Sequence, residues 1–165
     1  GVKVKYILVT REDSGVGWKL RDLAMTYRIP SEVMIFERGL PFKELYSLYA
    51  ISDASLLSSK AEGLNMFVLE SMSVGVPVVA TACGSMPELL AEGRGFLMET
   101  EYSMIDPWGN SRRDFPDAED GADILYNLHM LTITSIDKAR AYMETRTLDY
   151  PAQQIAEALE KLNEE

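Results

Sequence analysis

The sequence carries one cysteine and one histidine in 165 residues. A lone cysteine cannot build a disulfide framework, and one His beside one Cys excludes the usual zinc spacings. Long apolar runs are missing too. The longest, Val76 to Ala80, falls far short of the roughly 20 residues a membrane span requires, so no span is expected. Basic residues are scarce, 16 Lys and Arg against 26 Asp and Glu, for a formal charge of −10. Neutralising a phosphate backbone needs a basic face, which argues against a nucleic-acid partner. Positions 1–30 do not show the charged start, apolar stretch and small-residue cleavage site of a signal peptide, and a cytoplasmic location is expected. There is no internal repeat and no low-complexity tract. What is present is length enough for one domain, able to bury about 70% of its unfolded surface without staples.

The chain reads as short apolar strands alternating with helices. Lys3 to Thr10, Val33 to Glu37, Ala54 to Leu57, Val76 to Thr81 and Phe96 to Met98 are the strands. Ser14 to Gly17 reads as a loop, and Trp18 to Arg28 as a helix with Leu20, Leu23, Ala24 and Tyr27 on one face. Pro41 opens a second helix, where its missing N–H costs nothing, and Phe42, Leu45, Tyr46 and Tyr49 form its core-facing stripe. A third helix runs from about Asn65 to Val74 and is stopped by Gly75 and Pro77. From Asp117 to the end the pattern is helical, with apolar positions at Ile124, Leu125 and Leu128, then Ile136, Ala139 and Met143, then Ile155, Leu159 and Leu162. This alternation predicts an α/β fold, a Rossmann-like parallel sheet with helices on both faces. Such sheets bind ligands beyond the carboxyl ends of their strands, so the loops after Thr10, Glu37, Leu57 and Thr81 are the places to look.

One loop stands out. Ser58 to Ser73 reads SSKAEGLNMFVLESMS, a polar turn holding Glu62 and Gly63 that leads into a helix. Free N–H groups and the positive dipole end at a helix start attract an anion. Gly63 allows close approach of a ligand and tolerates positive φ. Glu70, in the second turn, is an acceptor-only carboxylate able to take two vicinal hydroxyls, as of a ribose. Glu62 sits eight positions earlier, where a second polyol could lie across the phosphate. The plain alternative makes Glu70 a solvated helix residue and Glu62 an ordinary loop acid.

The stretch ISDASLLSSKAEGLNMFVLESMSVGVPVVATACGSMPELL, Ile51 to Leu90, resembles the C-terminal half of retaining GT-B glycosyltransferases of the family 4 type, which include sucrose synthases and bacterial mannosyltransferases. The likeness lies in a strand ending in Ser, Glu-Gly, a second Glu after seven intervening residues, Gly-x-Pro-Val-Val-Ala, a Gly and Pro-Glu. The resemblance implies transfer of a hexose from a nucleotide-diphosphate sugar with retention, without metal or other cofactor. It places Glu62 at the donor sugar as the catalytic residue. Gly63, Leu64 and Asn65 become the turn whose amides meet sugar and diphosphate, Glu70 holds the ribose, and Glu37, Arg38 and Gly39 form the base loop. Gly84 and Glu88 match a loop that is usually structural.

Two departures from the family pattern stand in the sequence. The family's earlier strand and helix, whose loop brings an Arg and a Lys onto the diphosphate, have no counterpart; Arg11 and Lys60 lie at other positions and neither is expected to substitute fully. The acceptor-binding N-terminal domain is likewise absent, so residues 1–165 are expected to be a single donor-binding domain, truncated on its N-terminal side. The isolated chain is then expected to be inactive, with a bare cleft face that invites self-association. The second departure is residues 99–116, an insertion loop carrying Trp108, Arg112 and Arg113, with residues 117–165 forming C-terminal helices. The loop is expected to run over the surface with Trp108 tucked against the sheet, or to act as a flap whose arginines offer positive charge near the cleft. Cys83 is expected to be a small buried residue and His129 to serve a helix end or face solvent. A non-catalytic nucleotide- or protein-binding module of GT-B descent is the competing reading, ahead of a nucleotide-sugar epimerase.

Overall fold

A computed structural model describes residues 3–12, 17–147 and 149–163. The chain forms two compact units, Gly1–Leu48 and Tyr49–Glu165. In the first, β1 (Tyr6–Val9) pairs in parallel with β2 (Val33–Phe36), Tyr6 opposite Val33 and Val9 opposite Phe36, with α1 (Leu20–Thr26) between them in sequence. The expected Ser14–Gly17 loop falls mostly outside the described residues. α2 (Phe42–Ala50) follows, its first turn closed by the Pro41 carbonyl, which accepts from the Glu44 and Leu45 amides.

The expected core stripe of α2 is only partly correct. Tyr49 is buried and Leu45 half-buried, but Phe42 is 75% exposed and Tyr46 37%. Helical spacing puts these rings on one face and says nothing of how far cover extends along it.

In the second unit β3 (Ser55–Leu57), β4 (Val78–Thr81) and β5 (Phe96–Met98) form a parallel sheet with β4 central. Successive side chains of β4 point to opposite faces, and both faces are buried. Val78 and Ala80 pack with Val68 and Met72 of α3 (Met66–Val74) and with Ala139. Val79 packs with Met98 and Leu128 on the other side. Leu128 and Ala139 both belong to α5 (Ala118–Glu144), a helix of 27 residues capped by the Asp117 carboxylate, which accepts from the Glu119 and Asp120 amides. All five expected strands are thus present, within one or two residues except at the start of the first, which begins three residues later than expected. This is the expected α/β fold, with parallel sheets and helices.

Residues 99–116 are not a loop. β6 (Thr100–Ile105) and β7 (Arg112–Pro116) form an antiparallel hairpin. The Tyr102 and Phe115 rings stack across it at 4.3 Å. Asp106 shapes the turn through its side chain, which accepts from the Trp108 amide, and Asn110 adopts φ +53°. Trp108 therefore projects at the tip, 95% exposed, rather than tucking against the sheet. A short α4 (Met86–Leu89) follows β4, and α6 (Asp149–Asn163) ends the chain with Ile155 and Leu159 exposed. The side chains of His129 and Leu162 lie outside the described residues. Among the described residues no helix is long and apolar enough to cross a membrane.

Candidate functional site

The carboxyl end of β3 leads into residues 58–65 and then into α3. Asn65 is the N-cap of α3, in extended conformation, and its side-chain oxygen accepts from the Val68 amide at 3.2 Å. Gly75, at φ +84°, ends the helix in the left-handed conformation. So the sequence expectation for this helix holds to within one residue at its start.

The backbone of the loop is held from one side. The Ser59 carbonyl accepts from the Cys83 thiol at 3.3 Å, and the Lys60 carbonyl from the Asp114 amide at 2.7 Å. The Gly63 carbonyl accepts from the Ser85 hydroxyl. Ser85 stands at the N-cap of α4, yet its side chain makes no cap bond there. Next to it Gly84, at φ +53°, lies so close to the Glu62 carbonyl that a Cβ would overlap it. The amides of residues 62–67, by contrast, have no acceptor among the described residues. Tied carbonyls and unclaimed amides in succession make a surface suited to an anion.

Gly63 and Leu64 are exposed, and a Cβ on Gly63 would meet nothing within 4 Å. Its φ is not in the left-handed region, so its use is open space rather than turn geometry. Glu62 is half-buried. Glu70, also half-buried, accepts from the Tyr49 hydroxyl at 2.8 Å through Oε2. The helical stripe of α2 marks Tyr49 as a packing residue only. Its burial was legible from the helical stripe, its hydroxyl's partner was not. Gly84 fits the structural part that its motif implies, and nothing in the sequence pattern marks Ser85.

Glu37, Arg38 and Gly39 form the exposed turn after β2 in the first unit, where Gly39 adopts φ +93°. Glu62, Gly63, Leu64, Asn65 and Glu70 are gathered on one strand–loop–helix segment of the second.

Charge around the loop is committed elsewhere. The Lys60 ammonium lies 4.2 Å from the Phe115 ring centroid. Arg112 pairs with Asp114 at 2.6 Å and Arg113 with Asp106 at 2.9 Å, so neither arginine offers free positive charge. The Ser103 hydroxyl and then Arg112 hold the Asp114 carboxyl below its ordinary value. The Trp108 amide and then Arg113 do the same for Asp106. Burial, helped by Asp114 and Glu62, pushes the Cys83 thiol up, which makes it inert as a nucleophile and fits the expected buried residue. A separate cavity of about 460 Å³ is lined by Glu92, Arg94, Lys138, Ala141, Tyr142 and Thr145. Arg94 there is fully engaged, by the Leu89 and Glu88 carbonyls and by Glu92, and serves the packing of α4 against α5.

Comparison with known proteins adds a family to this geometry. The chain is similar over 96 residues, at 32% identity, to a D-inositol 3-phosphate glycosyltransferase of Corynebacterium urealyticum, covering 56% of this chain and 22% of that protein. It is 39% identical over 67 residues to the sulfoquinovosyl transferase SQD2 of Arabidopsis thaliana, covering 38% of this chain and 13% of the relative. The chain thus spans about a fifth or less of these curated relatives. Among solved structures, sucrose-phosphate synthase from Thermosynechococcus elongatus superposes with a TM-score of 0.72 at 19% identity, over 94% of this chain and 38% of that one. Anabaena HepE in complex with UDP-glucose gives 0.70 at 23% identity, over 96% of this chain and 41% of that one. The family described as "Glycosyl transferases group 1" matches residues 17–106, more than half of the chain and all of the loop and α3. The chain belongs to that family.

Proposed function

We propose that this chain binds a nucleotide-diphosphate sugar and acts as the C-terminal donor-binding part of a retaining hexosyltransferase, with the acceptor held by an N-terminal GT-B domain outside the chain. The observation that carries the reading is the loop into α3, inside the family-matched stretch: the Ser59, Lys60 and Gly63 carbonyls are tied back, while the amides of residues 62–67 have no acceptor among the described residues. HepE, of like fold, is known in complexes with UDP and UDP-glucose, which supports a nucleotide sugar as the ligand class.

In this reading the amides of Gly63, Leu64 and Asn65 and the start of α3 receive the diphosphate and stabilise it as it leaves. Fixed dipoles aimed at developing charge need no reorganisation when the bond breaks. Glu62 lies at the sugar and stabilises positive character at the anomeric carbon. Glu70 accepts from the ribose, and Glu37, Arg38 and Gly39 carry the base. Transfer then proceeds without a metal, the acceptor domain and the family's Arg and Lys completing the site. Such a reading accounts for an acidic chain with its nearby cations already paired: the amides begin neutralisation and the cationic groups come from elsewhere.

The test is calorimetric titration of the folded chain with UDP, GDP and ADP and their sugars. Binding of one series, weakened by Glu70→Ala with the fold intact, is expected. No binding at millimolar ligand would refute the donor role.

A further inference from the structure

Tyr49 is the first residue of the second unit and is only 6% exposed. Its ring lies against Phe67, centroids 5.8 Å apart, and its hydroxyl donates to Oε2 of Glu70 at 2.8 Å. Phe67 and Glu70 are three positions apart on α3 and so share a face. One helix face therefore grips both the ring and the hydroxyl of a side chain that burial prevents from turning.

An unrestrained glutamate distributes its carboxylate over many rotamers. Here one oxygen is claimed by a fixed donor, which sets the plane of the carboxylate and leaves Oε1 to be presented. A phenol is suited to this, since it donates to an ionised carboxylate without adding a charge that would compete for the ligand. We propose that Tyr49 is a positioning residue: it holds Glu70 in the orientation that reads the vicinal hydroxyls of a ribose, and so sets the preference for ribonucleotides over deoxyribonucleotides. This rests on the donor reading above.

The experiment compares the tightest-binding of UDP, GDP and ADP with its 2′-deoxy and 3′-deoxy analogues by calorimetry on the full chain and on Tyr49→Phe. The unsubstituted chain is expected to prefer the ribonucleotide over at least one deoxy analogue by about tenfold, the effect of one hydrogen bond to a charged group. In Tyr49→Phe the preference should fall to about twofold or less, while affinity for that analogue changes by less than about twofold, as expected when only the geometry of a charged acceptor is relaxed. Equal loss for ribose and deoxyribose ligands, or a preference that survives the substitution, overturns the inference and leaves the donor reading standing. A folded chain that binds no nucleoside diphosphate overturns the donor reading and this inference together. Should Tyr49→Phe not fold, the unsubstituted chain labelled with ¹³C at tyrosine Cζ gives the answer. The Tyr49 signal is expected to move with the ribonucleotide and not with its dideoxy analogue, and a signal that ignores both overturns the proposal.

Discussion

Replacing Gly84 with alanine tests the close contact on which the geometry of the candidate loop depends. Two costs act on the folded state. At φ +53° an L residue is in the left-handed region, worth about 1–2 kcal/mol. The new Cβ would also overlap the Glu62 carbonyl, a backbone atom that cannot swing away as a side-chain end can, and forced repacking of this kind costs about 1–3 kcal/mol. The unfolded chain loses some freedom with alanine, which returns about 0.4–1 kcal/mol. The net expectation is a loss of about 1–5 kcal/mol, set by the first two effects. Urea unfolding followed by circular dichroism reads this as a lower midpoint at unchanged slope. Gly63→Ala is the matched control, one residue beyond Glu62 but with open space around its Cβ position and no left-handed φ. It should raise stability by about 0.4–1 kcal/mol, through the same loss of freedom in the unfolded chain and with no opposing strain. If Gly84→Ala unfolds at the same urea concentration as the parent, or if the two variants fall together, the packing of residues 83–85 against the loop is wrong.

Other expectations follow from single contacts. The Ser135 hydroxyl is buried in α5 with no hydrogen-bond partner among the described residues; Ser135→Ala should raise stability by about 1 kcal/mol, seen as a higher melting temperature. Asp114 and Asp106 have carboxyls held below their ordinary value of 3.8, so the hairpin's ion pairs contribute above that pH. That contribution is lost as pH falls below 3.8 through their folded values, where the carboxyls take up protons. Hairpin amides followed by NMR should therefore lose dispersion at a higher pH in Asp114→Asn than in the parent, and identical acid transitions would contradict the role given to Asp114.

How much of this could be read from the sequence varies with the kind of interaction. The strands of the parallel sheet and α3 were legible because buried parallel strands are apolar runs and because Asn65 and Gly75 carry cap chemistry. The hairpin was not, although its turn holds Pro107, Gly109 and Asn110. Its strands mix Glu101, Ser103, Arg112 and Arg113 with apolar residues, and they are held by cross-strand pairs such as Tyr102 with Phe115. For α2, spacing located the face but not its cover, hence exposed Phe42 and Tyr46 beside buried Tyr49. At the site, the positions of Glu62 and Glu70 were visible as a motif. What frames them was not. Ser85, Gly84, Cys83 and Asp114 reach the loop from 22 to 54 residues away, and Tyr49 reaches Glu70 across 21. Such pairings are created by the crossover connections of a parallel sheet, which bring distant loops to one edge.

The central claim is that residues 62–70 receive the nucleotide sugar. Its most direct test is an amide NMR titration of the ¹⁵N-labelled chain with UDP, GDP and ADP. Shifts are expected to concentrate on Glu62 to Phe67 and Glu70 for at least one nucleotide. Shifts confined to the cavity around Arg94 and Lys138, or none at saturating ligand, would contradict it.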